Sequence, residues 1–199
     1  MKAAIIDSIK LFWPTVVVVI VITLIMRITM IVKSERKSFC LHEELYHLAF
    51  IVYLMILFQL VTSQDISGGG TNLIPFKEIF RYEFGSTGFY KQVVGNILIF
   101  IPLGYFISND CHLKSLLPVI ITCGLSSLCI ECVQHFIGRS FDIDDIILNI
   151  VGGIVGFLLY VALNAIKNHL PKFMRQDWFY NLISIILIIL CAIYVFKLF

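Results

Sequence analysis

Charge is scarce in this chain. Asp, Glu, Lys and Arg make up 14% of its 199 residues, against about a quarter in an ordinary soluble domain, which excludes a well-solvated globular surface. The six cysteines show no Cys/His zinc spacing, and the one C-x-x-C, Cys129-Ile-Glu-Cys132, lies inside an apolar run. No zinc ribbon is therefore expected, and the cysteines read as small, buried, apolar side chains. The net charge of +2 and pI near 8.2 are mild. No basic patch interleaves with aromatics, so nucleic acid is excluded as a partner. Also missing are a Ser/His/Asp order, a nucleophile elbow and a phosphate-binding glycine loop. No catalytic residue is assigned from such a pattern, and no cofactor is called for.

What the chain has is apolar length. Hydrophobic residues reach 59%, mean hydropathy is +0.95, and apolar runs near the ~20 residues that cross a hydrocarbon core recur from end to end. The expected fold is all-α, a polytopic transmembrane helical bundle. Six spans are placed at 11–32, 45–62, 90–108, 115–137, 141–165 and 178–196. The first is too long for a signal-peptide core and no small-residue cleavage site follows it, so it is expected to be retained. The triple glycine of SQDISGGGT marks a loop. NLIPFKEIFRYEF, 72–84, is too short to span, and its alternating charges and phenylalanines, bent at Pro75, suit an interfacial or re-entrant segment between the second and third spans. Pro102 followed by Gly104 is expected to kink the third span. Trp178 and Tyr180 read as interface anchors. Lysine and arginine divide evenly between the two sides, and two dense basic clusters in short breaks lean the N-terminus outside.

Polar groups at membrane depth are costly, so their clustering between Ser126 and Gly156 reads as a site. Ser127, Glu131, Gln134 and His135 are spaced by three and four along one stripe of their helix. On the next helix Asp142, Asp145 and Asn149 repeat that spacing and run into Gly152 and Gly156, small residues that admit a close neighbour. The GRS turn brings the two helices back antiparallel, with Arg139 the cation nearest the acids. Gln92 and Asn96 share a face one turn apart. Simpler roles stand beside these: Asp142 and Asp144 as capping residues, Glu131 with Arg139 as a structural ion pair, and His135, Ser127 and Gln92 as hydrogen-bonding groups. Asn72 can start a turn. The acids also offer oxygens to a divalent cation, but D-I-D-D lacks the glycine and distal glutamate of a calcium loop, which leaves a metal undetermined.

NLIPF at 72–76, NILIFIPLG at 96–104, and the run from Ser127 through GR and DIDD to N-x-x-G-G-x-x-G at Gly156 resemble the signature blocks of the VanZ-like family. The resemblance covers roughly 45–196. It implies two parts: residues 1–44, an additional N-terminal helix with a basic loop, and 45–199, a VanZ-like membrane domain. It further implies a multi-pass protein of the bacterial cytoplasmic membrane. The family's best-known member lowers susceptibility to the lipoglycopeptide teicoplanin without rebuilding the peptidoglycan terminus. No catalytic residues come with the family. Its signature polar positions correspond here to Asn72, Asn96, Glu131, Gln134, Arg139, Asp142, Asp145 and Asn149, taken as ligand-binding candidates. The partners expected are the lipid bilayer and a lipid-linked cell-wall precursor or lipoglycopeptide, with room for a homo-oligomer. The alternatives are an intramembrane enzyme using Glu131 and Asp145, and a small proton-coupled transporter.

Overall fold

The computed structural model describes residues 40–62, 70–136 and 138–198. The expected span at 11–32 lies outside them. The chain divides into two units, the first of the residues up to Ile56 with those from Leu170 onward and the second of Leu57–His169.

Helix α1 covers Leu41–Thr62, with Glu43 and Glu44 in its first turn, where acids suit the helix dipole. In the second unit the first element is a two-residue strand, β1 (Thr71–Asn72), followed by turns and a 3-10 helix at Ile79–Arg81. Helix α2 (Thr87–Asp110) starts at Ser86, whose hydroxyl accepts from Phe89 N–H at 3.1 Å. A π-helical turn at Tyr90–Val94 precedes regular α-helix from Gly95, which continues through Pro102. Helix α3 is Leu117–Phe136, β2 is Phe141–Asp142 and helix α4 is Ile143–His169. A 3-10 helix, Lys172–Arg175, leads to helix α5, Asp177–Leu198.

Four helices among the described residues are long and apolar enough to cross a membrane: Leu41–Gln59 of α1, α2, α3 and α4. They coincide with four of the six expected spans. Helix α5 matches the last in position, with a described apolar stretch of Asp177–Leu190.

In the second unit, α2 and α4 pack backbone to backbone. A Cβ added to Gly104 would collide with Gly153, one on Gly152 with the Ile97 carbonyl, and one on Gly156 with Ile101 and Tyr105 backbone atoms. Glycine is the residue that permits this approach, as the small-residue spacing implied. Helix α3 closes the other side, with Cys123 Sγ against Gly153. Its buried stripe is Val119, Cys123, Ser127, Glu131 and Gln134. His135 does not share that stripe, because Gln134 occupies the inward position of the last turn and His135 is exposed. The expectation of buried cysteines is likewise corrected. Cys123 is buried, but Cys111, Cys129 and Cys132 are exposed and Cys40 is half-buried. A thiol is apolar enough to sit on the outer face of a helix in a chain this greasy.

Candidate functional site

Two chain segments 70 residues apart are joined at the end of the α3–α4 pair. Strands β1 and β2 run parallel, with Thr71 opposite Phe141 and Asn72 opposite Asp142. Asn72 Nδ2 donates to Asp142 Oδ1 at 2.9 Å, while Asn72 Oδ1 accepts from Ile74 N–H at 3.3 Å. The turn-starting role of Asn72 and its place in the polar cluster are therefore both realised. Asp142 Oδ1 also accepts from Asp144 N–H at 2.9 Å, so Asp142 caps α4. Burial raises the Asp142 carboxyl from its ordinary value, against the lowering effect of the Asp144 N–H and Asn72 hydrogen bonds.

Asp144, absent from the candidate residues, is the most deeply held acid. It is fully buried and caps a different segment from its own helix. Its carboxylate accepts from the backbone N–H of Phe76 at 2.5 Å, Glu78 at 2.7 Å and Ile79 at 3.2 Å. These bonds hold the 72–84 segment in its turn and hold Phe76 at φ +66, a backbone region that bulky side chains rarely adopt. Phe76, Phe80 and Phe84 of that segment are exposed.

Glu131 is 2% exposed, and both its oxygens are engaged. Oε2 accepts from Asp142 N–H at 2.9 Å. The Gln134 amide, oriented to satisfy both neighbours, donates to Glu131 Oε1 at 3.0 Å and accepts from Arg139 at 2.5 Å. Gln134 thus links the acid to the base. Arg139 follows Gly138, whose φ of +89 turns the chain out of α3, and the Arg139 N–H donates to the Gln134 carbonyl at 2.9 Å. Asn96 Nδ2 of α2 donates to Asp145 Oδ1 at 2.5 Å. Asn149 Nδ2 donates to Ser127 Oγ at 2.8 Å, whereas Asn149 Oδ1 is buried and has no partner among the described residues. All eight candidate residues lie in this one region.

Two adjoining cavities open there. The larger, about 660 Å³, is lined by Lys77, Arg81, Lys91 and Arg139 together with Asn72, Asp142, Asp144 and Asp145. The smaller, about 60 Å³, is lined by Asn96, Glu131, Gln134, Arg139, Asp145 and Asn149 among others. The first falls within the ~300–1,000 Å³ usual for ligand sites; the second has room for a few waters. Lys77 and Arg81 had been read as interface charges, and Lys91 only in the balance of charge between the two sides. Arg81 also pairs with Glu78 at 3.0 Å.

The VanZ/LLP1 family profile matches residues 44–164, which contain every residue of this network. The chain belongs to the VanZ/LLP1 family. It is 26% identical over 148 residues to Protein VanZ of Enterococcus faecium, an alignment covering 74% of this chain and 84% of that protein. No solved structure matches it. Within the matched region the NLIPF block and the DIDD run form one structural unit, joined through Asp144 and the β1–β2 ladder.

Proposed function

We propose that this VanZ/LLP1 protein is a multi-pass protein of the bacterial cytoplasmic membrane that binds the anionic polar head of a lipid-linked cell-wall precursor, or of an amphiphilic glycopeptide, without chemical turnover. The observation that carries this reading is the cavity of about 660 Å³ with Lys77, Arg81, Lys91 and Arg139 in its lining. Four cations around one opening suit a phosphate or carboxylate group, and Arg139 offers the bidentate geometry such groups favour. Glu78, which pairs with Arg81, and the three aspartates of the lining balance this charge and give the sugar or peptide part of a head its acceptors. The exposed phenylalanines of 72–84 suit contact with lipid beside the opening.

The hydrogen bonding of Glu131 supports binding over catalysis. With both oxygens held by Asp142 N–H and Gln134, it is arranged as a fixed acceptor, and a general acid needs a path to substrate. Teicoplanin tolerance, which the resemblance implies, follows in this reading if the protein competes for or withholds the drug or its target. The test is expression in a susceptible host with wild-type, Glu131→Gln and Arg139→Ala chains at equal membrane levels. The variants should lose the glycopeptide phenotype that the wild type confers; full retention would reject the pocket. A changed mass spectrum of envelope lipids incubated with purified protein would favour an enzyme instead.

A further inference from the structure

Outside the polar cavities, the other unit brings three chemically different ligands to one place. Cys40 stands directly before α1, His42 is in the first turn of α1, and Asp177 begins α5. One ligand atom from each lies within 4.8 Å of the others. The Cys40 sulfur is 3.2 Å from His42 Nδ1 and 4.0 Å from Nε2. Tetrahedral zinc, with bonds of about 2.3 Å to sulfur and about 2.0 Å to nitrogen, separates those atoms by roughly 3.6 Å, a small widening of the 3.2 Å between Sγ and Nδ1.

His42 is also held by α5. Asn181, one turn into α5, accepts the His42 backbone N–H at 2.9 Å and lies 3.0 Å from His42 Nδ1 through the same Oδ1. Cys40 Sγ and Asn181 Oδ1 thus both face Nδ1, the ring nitrogen presented to the cluster, while the bond to the backbone N–H fixes the residue that carries it. Tyr180 lies against the same ring at a centroid distance of 5.4 Å.

We propose that Cys40, His42 and Asp177 form a binding site for a zinc-class divalent metal, with Asn181 orienting His42 and the fourth coordination position open to water or another ligand. Thiolate, imidazole and carboxylate together select zinc or cobalt over calcium and magnesium, which take oxygen alone. The metal would tie the start of α1 to the start of α5, and it is independent of the binding reading above.

The test is titration of the metal-stripped full chain in detergent with Co²⁺. One equivalent should produce thiolate-to-cobalt charge-transfer absorption, abolished in Cys40→Ser and displaced by Zn²⁺. Asn181→Ala should keep the band but weaken affinity by about 10- to 100-fold. Cys111→Ser should behave as wild type. Zn²⁺ protection of wild-type Cys40 from alkylation, read by peptide mass spectrometry, is a second measurement that does not depend on how Cys40→Ser folds. No charge-transfer band in the wild type, a band that persists in Cys40→Ser, or Cys40 alkylation indifferent to Zn²⁺ would each overturn the site.

Discussion

Asp144 and Phe76 are joined by a carboxylate-to-backbone hydrogen bond of 2.5 Å across 68 residues of sequence. With the two further N–H groups held by the same carboxylate, this contact makes the NLIPF segment a wall of the cavity rather than a loose connection. Lys77 and Arg81 reach the lining because Asp144 holds their backbone in place.

Asp144→Ala should therefore cost about 2–4 kcal/mol, the order expected for stranding several buried donors. Limited proteolysis should cut first near Pro75. Asp144→Asn, which keeps one acceptor oxygen, should be milder in both measurements.

Asn72→Ala should lose about 1 kcal/mol through its bond to Asp142. Asn72→Asp should lose more, because it sets two carboxylates against each other across the ladder. Thermal unfolding of the two variants in the same detergent gives the comparison.

The α2–α4 contact yields a prediction with an internal control. Gly152→Ala and Gly156→Ala place a methyl against backbone atoms and should destabilise by about 1–3 kcal/mol or more. Gly124→Ala meets only the flexible Ile150 side chain, at 3.4 Å, and should be neutral or mildly stabilising in its helix. Melting temperatures of the three variants separate the cases.

Ser127→Ala removes the partner of Asn149 Nδ2 and leaves the whole Asn149 amide without protein partners among the described residues. A loss of about 1–3 kcal/mol is expected. Ser127→Thr, which retains the hydroxyl, should recover most of it.

The helical parts of this architecture are written in the sequence because a period of 3.6 residues is a local signal. Asp145, Asn149, Gly152 and Gly156 show their common face by spacing alone, and Ser127, Glu131 and Gln134 do the same on α3. His135 shows where spacing falls short, since both i+3 and i+4 from Glu131 suit a helix face and packing selects Gln134. Asp144 was illegible for a different reason. Its partners are backbone N–H groups of a distant turn, which leave no mark in side-chain type. The same holds for Lys77 and Arg81, whose chemistry reads equally well as an interface pattern until the turn places them around one cavity. Cys40, His42 and Asp177 escape a search for zinc spacing because one ligand comes from the far end of the chain.

The most direct measurement is the affinity of the purified protein, in lipid nanodiscs, for a polyprenyl diphosphate, comparing wild type with Arg139→Ala and the triple Lys77→Ala, Arg81→Ala, Lys91→Ala variant. Saturable binding, weakened at least tenfold in both variants and reduced by added salt, is the predicted result. Equal affinity in well-folded wild type and variants would contradict an anion-binding role for the cavity.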